Sequence, residues 1–412
     1  MHHDPIQPHM AVDPAIDHSP ALPARDLPSV GLLAVAMAAA IFPITAIGVV
    51  ASFIIDDLGI SRTQLGLSIT VASAMSALAA IALGRFIDRQ GGRTALTTVF
   101  SLSAISMLGI AVAPTYALLL AASAVAGLAM GSANPATNRL VVETVPRARW
   151  GTVTGIKQAG EALPIVIGGL ILPATAIAIS WRFALGAVAL LPVAAICVAW
   201  LAIPAGRRPG LMTSPSRVAP KLDRNILWLT AYSFVVGLVA ASIATYLPLY
   251  AQEALGMNAA TAGLVVAAMG VVAVAGRLVW GHAARRVSDL RGRLRWIALL
   301  AIGATALIWS ASHVHRELVW LGAILWGASI LSVGALGNLA VMHYSVVENT
   351  GRASGVMITG FGVGLMIGAP AFGLSVDLTG AYDVGFCLLL VELVTLTIVS
   401  TVWGRQLSAN VS

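Results

Sequence analysis

The chain has 412 residues, of which 58% are hydrophobic and 10% charged, with a mean hydropathy of +0.90. An ordinary soluble domain is about 25% charged, so a soluble enzyme, a nucleic-acid-binding domain and a disordered tail protein are excluded and a polytopic membrane protein remains. The net charge of +7 then reads as a topology signal, because basic residues set orientation in a bilayer.

Residues 1–28 are rich in Pro, His and Asp and lack the apolar core of a signal peptide, so they read as a cytoplasmic tail. A membrane helix needs about 20 mostly apolar residues. Twelve such runs follow, near 29–54, 63–86, 94–113, 116–142, 151–178, 182–203, 226–252, 259–282, 295–312, 317–344, 353–376 and 382–403. The longest polar gap, 204–225, carries Pro, Ser and basic residues and reads as a cytoplasmic linker between a six-helix bundle at 29–203 and a second at 226–404. Residues 405–412 form a short cytoplasmic tail. Cys197 and Cys387 lie within apolar runs and suggest neither a disulfide framework nor a metal site. Trp181, Trp200, Trp228, Trp280 and Trp403 fall near span ends, as interfacial belts do.

With the N-terminus in the cytoplasm, 18 of the 24 Lys and Arg lie on the cytoplasmic side. Arg62, Arg182 and Arg316 lie outside, and Arg139, Lys157 and Arg277 lie within spans. The positive-inside rule therefore predicts a multi-pass protein of the inner or plasma membrane with both termini cytoplasmic.

The two halves repeat each other. Asp56, Gly59, Gly66 and Gly84 match Glu253, Gly256, Gly263 and Gly281 at a spacing of 197. Asn138, Gly151, Gly155 and Gly160 match Asn338, Gly351, Gly355 and Gly360 at a spacing of 200. A duplicated six-span unit predicts an all-α membrane protein of twelve transmembrane helices in two pseudo-symmetric bundles. Parallel repeats of this kind place a substrate site near the midplane between the halves.

The loop after the second span reads Gly84-Arg-Phe-Ile-Asp88-Arg89-Gln-Gly91-Gly92-Arg93. It resembles the signature loop of the major facilitator superfamily: Gly, then Asp-Arg four residues on, then Gly and a basic pair. Gly92 stands where that family usually has a basic residue. The matching loop of the second half, Gly281-His-Ala-Ala-Arg285-Arg286, has Arg in place of the acid. The resemblance, over about 29–404, implies the fold of that superfamily and a conformational latch built from Gly84, Asp88, Arg89, Gly91 and Arg93. Gly84 allows close helix approach, and Asp88 can sit at a neighbouring helix N-terminus and pair with Arg. For Arg85 and Arg93, simple topology charge is an equal alternative.

Ionisable groups inside a membrane are expensive and functional by default. The repeat sharpens this test, since a charge that the duplicated scaffold lacks is not required by the scaffold. Lys157 and Glu161 stand where the second half has Met357 and Phe361; Arg277 stands where the first half has Ala80. Lys157 suits an anionic substrate. Glu161, four residues on and so on the same helical face, suits a proton site or a hold on empty Lys157; a self-neutralising pair is the alternative. Arg277-Leu-Val-Trp-Gly281 is similar, over five residues, to the substrate-binding arginine region of monocarboxylate and oxalate carriers in the superfamily. A guanidinium fork suits a carboxylate, and the alternative is that Arg277 snorkels to the surface. Arg139, matched by Leu339, suits either the site or an interfacial pair with Glu143. Asn138 and Asn338 are symmetric and read as scaffold hydrogen bonding or as cavity-facing amides.

No Walker A pattern surrounds either lysine, Lys157 or Lys221, and no haem, flavin or Cys/His metal motif occurs, so no cofactor is expected. Secondary active transport by alternating access remains, and one proton crossing 100 mV supplies about 2.3 kcal/mol. The sequence reads best as a proton-coupled symporter of a small organic anion, a carboxylate. Its substrate site is expected to draw on Lys157, Arg277, Glu161, Arg139, Asn138 and Asn338, and its partners are the substrate, the coupling proton and the bilayer. A monomer is expected, with no nucleic acid bound. An efflux carrier for drugs or amphipathic metabolites is the alternative, and would have an acid-dominated aromatic cavity. A non-transporting membrane sensor ranks last.

Overall fold

The structure is a computed structural model that describes residues 27–146, 149–203, 223–283, 290–344 and 350–408; of residues 27–29, 81–90, 151–152, 278, 281–283, 290–291, 335, 338, 342, 350–351 and 404–408 it describes the backbone alone. Each of the twelve apolar runs is a helix or an interrupted helix, and the described residues contain no strand. The first span is Leu27–Val49, continued past a kink at Val50 by Ala51–Leu58. Arg62–Gln90, Gly92–Ala111 and Tyr116–Thr144 follow. The fifth span is broken into Trp150–Ala159, a 3-10 turn at Gly160–Ala162, and Leu163–Ala178. The sixth is Trp181–Val188 with Leu190–Ala202. Arg224–Glu253, Ala259–Ala283 and Leu290–Ser310 form spans seven to nine. The tenth is broken at Ile330–Ser332, between Leu318–Ala328 and Gly334–Tyr344. Thr350–Thr379 and Asp383–Ser408 complete the set. Eleven spans are long and apolar enough to cross a bilayer, and the tenth offers the shorter apolar stretch Leu318–Ser332. Of the expected tails, residues 1–26 and 409–412 lie outside the described residues, as does most of the expected linker, 204–222; residues 405–408 continue the last helix.

The duplication is visible in the packing. Gly59 and Gly256 end equivalent helices in the left-handed conformation, with φ of 60° and 63°. Gly160 lies directly on the backbone of Ala34 in the first span, and Gly360 on that of Thr230 in the seventh. Gly127 sits on Ala72, and Gly327 on Met269, the residue 197 positions after Ala72. Small residues let helix backbones touch where no water drives association. The expected aromatic belt is only partly present. Trp200 is exposed, but Trp403 is buried with its indole N–H on Asn225 Oδ1, and Trp280 donates to Ala328 O inside the second half. An indole N–H needs a partner when buried, and these two find one within the protein.

The spans alternate in direction, so residues near 58–62, 178–181, 253–259 and 379–383 share the end distal to the termini. There the halves are pressed together. Gly48 meets the backbone of Ala244, Gly66 that of Pro370, Gly169 that of Gly263, and Gly373 that of Arg62. These contacts between the halves seal the distal end. Toward the other end, a Cβ added at Gly155 or at Gly355 meets nothing within 4 Å, so no backbone packs on either position.

Candidate functional site

Lys157 is 2% exposed. Its ammonium donates to three oxygens of the fourth span: Asn134 Oδ1 at 3.1 Å, Thr137 Oγ1 at 3.0 Å and Asn138 Oδ1 at 2.5 Å. Thr137 is free to accept because its own hydroxyl proton goes to Ala133 O. Three donors meet three uncharged acceptors, so the hydrogen-bonding capacity is filled while the charge is not neutralised. The second half replaces this whole cluster. Met357 stands for Lys157, Gly334 for Asn134 and Gly337 for Thr137, and Met357 Sδ packs 3.5 Å from where a Gly337 Cβ would lie. The same packing position is polar in one half and apolar in the other.

Glu161 does not hold Lys157, although the i,i+4 spacing suggests it. The reason is Pro164. It lacks an N–H and its ring crowds the preceding turn, so the helix gives way to the 3-10 turn Gly160–Ala162 and restarts at Leu163. A 3-10 turn advances 120° per residue rather than 100°, which carries Glu161 off the Lys157 face. Its Oε2 lies 3.5 Å from Arg277 Nη1 on the eighth span.

Arg277 does not reach for the surface. Its Nη1 donates to Gln158 O at 2.6 Å and its Nε to Leu331 O at 3.1 Å. Each of those carbonyls borders a helix break. Leu331 lies in the 3-10 turn of the tenth span, which follows Ser329 at φ −102°, ψ −94°. Its counterpart in the first half is Gly131, which packs closely against Ala79 and Ala80 of the second span. A leucine cannot repeat that contact, and Arg277 replaces Ala80. Arg277 and Trp280, one turn apart, thus satisfy two carbonyls beside the break, Leu331 O and Ala328 O. The guanidinium joins the fifth span of one half to the tenth span of the other.

Arg139 forms the i+4 pair that its spacing suggests, with Nε 2.6 Å from Glu143 Oε1. The second oxygen of Glu143 accepts from the N–H of Gly92 at 2.9 Å and so caps the third span. This carboxylate ties the loop Gly91–Arg93 to the fourth span and takes Nε of Arg139, while Arg139 Nη2 lies buried with no hydrogen-bond partner among the described residues. Glu143→Ala is expected to lower stability by about 2–3 kcal/mol in thermal melts, since it strands a buried guanidinium, while Glu143→Gln keeps the cap and costs about 1 kcal/mol. Of the expected latch residues, Gly91 has φ 84° and begins the turn, and Arg93 stacks over Trp200 at 4.4 Å. The side chains of Asp88 and Arg89, the surroundings of Gly84, and the side chain of Asn338 lie outside the described residues. Asn138 is exposed and engaged with Lys157.

The structure therefore joins Lys157 to Asn138 and Glu161 to Arg277, and pairs Arg139 with Glu143. Sequence reasoning missed Asn134, Thr137, Gln158 and Leu331. The first two were detectable as polar residues whose repeat partners are glycine; the last two act through main-chain carbonyls and carry no side-chain signal.

The family model of the Major Facilitator Superfamily matches residues 33–404. The chain belongs to that superfamily of transporters. Among curated superfamily proteins it is 24% identical to the probable sulfoacetate transporter SauU of Cupriavidus necator, over 83% of this chain and 85% of that one. It is 25% identical to the gentisate transporter of Corynebacterium glutamicum, over 71% and 69%, and 26% identical to a chloramphenicol efflux pump of Mycobacterium tuberculosis, over 82% of each. The superfamily fold is matched by a bacterial homologue of the human lysosomal transporter Spinster, solved inward-facing and unoccupied, at a TM-score of 0.72 and 16% identity, covering 93% of this chain and 97% of that one.

Proposed function

We propose that this superfamily member is a proton-coupled symporter of small organic anions, recognising a carboxylate or a similarly shaped oxyanion, in the cell membrane with both termini cytoplasmic. The observation that carries the reading is Arg277, a largely buried guanidinium at the interface of the halves whose only acidic partner among the described residues is Glu161, at 3.5 Å. Lys157 adds a second positive charge with no carboxylate in contact. The central site is then net positive by one, which suits one anion. Lys157 is filled by its three acceptors, so its part is the field it projects in a low dielectric, and Arg277 makes the contact. Two of the relatives above are named for organic anions, sulfoacetate and gentisate. The relative named for chloramphenicol efflux keeps export of drugs or amphipathic metabolites as the second reading.

Coupling follows from competition. Glu161 neutralises Arg277 when the site is empty. A proton on Glu161 releases Arg277 to the substrate, so one proton and one monoanion load together and the loaded site carries no extra charge. The pH gradient, worth about 1.4 kcal/mol per unit, then drives uptake, and membrane potential does not. In proteoliposomes, lactate, oxalate and sulfoacetate are tested with organic cations as controls. Accumulation of lactate, a monoanion, is expected with an alkaline interior; sulfoacetate and oxalate, dianions at neutral pH, bring one net negative charge in with the proton, so their uptake also responds to membrane potential. Glu161→Gln is expected to lose the response to the pH gradient while keeping exchange of internal for external substrate. Uptake confined to organic cations would replace this reading with the efflux one. A pH response that survives Glu161→Gln would move the proton elsewhere.

A further inference from the structure

The geometry points to Pro164 as a positioning residue that aims Arg277, leaving a single corner of the guanidinium, Nη2, to receive substrate; this rests on the anion reading above. Arg277 has three nitrogens. Nε is taken by Leu331 O, and Nη1 by Gln158 O and Glu161 Oε2. Nη2 has no hydrogen bond among the described residues. A guanidinium held by two main-chain carbonyls on opposite helices cannot swing, so its open corner points in a fixed direction.

One of the two holds exists because of Pro164. In a continuous helix Gln158 O is taken by the N–H of Ala162, four residues on. Pro164 breaks the fifth span at Gly160–Ala162, two to four residues before it, and Gln158 O accepts from Arg277 across the interface between halves. The second half supplies the control. Gly364 stands in place of Pro164, Thr350–Thr379 runs unbroken, and the first-half residue facing it from the position equivalent to Arg277 is Ala80. Break and guanidinium occur together in one half-interface and are both missing from the other. The consequence for specificity is that the substrate oxyanion is held end-on through one nitrogen. Small headgroups of differing shape, planar carboxylate or tetrahedral sulfonate, are then both accepted.

The test compares wild type with Pro164→Ala in proteoliposomes, with lactate and sulfoacetate as probes. The KM for both is expected to rise about tenfold, with the maximal rate within about twofold of wild type. Two readouts need no substrate. Hydrogen exchange in the segment 158–164 should slow as the helix closes. Labelling of Arg277 by phenylglyoxal should quicken several-fold as it loses an anchor. Slower exchange with unchanged labelling and KM overturns the proposal, because Arg277 would then be held without the break. Unchanged exchange overturns it too, because Pro164 would not be what opens the helix. A parallel fall in maximal rate and melting temperature would assign Pro164 a structural role only. If wild type takes up neither probe, the anion reading fails, and labelling still decides whether Pro164 aims Arg277.

Discussion

Replacing Lys157, Asn134 and Thr137 together by Met, Gly and Gly is expected to leave the protein folded and to cut carboxylate uptake about fiftyfold. The second half already holds this set, as Met357, Gly334 and Gly337, in the same packing position. Lys157→Met alone is the harsher change for the scaffold, since it removes the donor from Asn134 and Thr137 at about 1–3 kcal/mol per buried stranded acceptor. The triple change removes those two acceptors with it and leaves the third, Asn138 Oδ1, on an exposed residue where water replaces the ammonium. Its residual cost is that of two helical glycines, up to about 1 kcal/mol each, against which stands the relief of a buried ammonium. The functional loss has a different origin. A unit charge on the order of 7 Å from a bound anion, at an effective dielectric of about 20, contributes about 2.4 kcal/mol, and removing it weakens binding about fiftyfold. Thermal melts and the KM for lactate and sulfoacetate separate the two effects. A triple variant that melts well below wild type would make the cluster a structural tie between the fourth and fifth spans. One that transports normally would take Lys157 out of the site.

The twelve spans were legible because hydropathy is an integral over about 20 residues and tolerates local irregularity. The breaks were not, for the same reason. Pro164 interrupts the fifth span, yet Pro43, Pro135, Pro173, Pro248 and Pro370 all lie inside helices that continue through them, since neighbouring helices re-satisfy the freed groups. The break at Ile330–Ser332 contains neither Pro nor Gly. Its trace in the sequence is the departure from symmetry of Leu331 against Gly131 and of Arg277 against Ala80. That same departure singled out Lys157, Glu161 and Arg277, of which the structure pairs the last two across the halves. The pairing within the group was not legible, because Lys157 and Glu161 at i,i+4 share a face only if the helix between them is regular. The symmetry test also marks Arg62, matched by Ala259, and Asp377, matched by Ile177. Counting Arg62 as an outside topology charge hid it.

Those two residues hold the distal seal, and Asp377→Ala is expected to shift the molecule toward the state open at that end by about 5- to 30-fold. The seal crosses the halves. Arg62 Nη2 lies 2.7 Å from both oxygens of Glu253, and Nη1 lies 3.7 Å from Asp377 Oδ1. Asp377 also accepts from the N–H of Arg62 at 3.2 Å, the N–H of Thr63 at 2.8 Å and the Thr63 hydroxyl at 2.6 Å. The eleventh span of one half thus caps the N-terminus of the second span of the other, where the helix dipole favours a carboxylate. Tyr246 donates to Arg62 O at 2.6 Å and Ser52 to Gln252 Oε1 at 2.9 Å, both across the halves. Every one of these contacts must break for the distal end to open. A cap is worth about 1 kcal/mol, and a partly exposed ion pair adds up to about 1 kcal/mol. The sum of 1–2 kcal/mol shifts a two-state equilibrium by the stated factor. Asp377→Asn keeps a good capping acceptor and loses the charge, so its shift should be smaller. Arg62→Ala leaves Glu253 and Asp377 facing each other and should exceed both. Spin labels at Val112 and Val314, exposed at the distal ends of opposite halves, in a background with Cys197 and Cys387 replaced, report the distance. The long-distance population should grow in the order Asp377→Asn, Asp377→Ala, Arg62→Ala. Unchanged distances in all three would mean that the glycine contacts at Gly48, Gly66 and Gly169 close the distal end without help from charge.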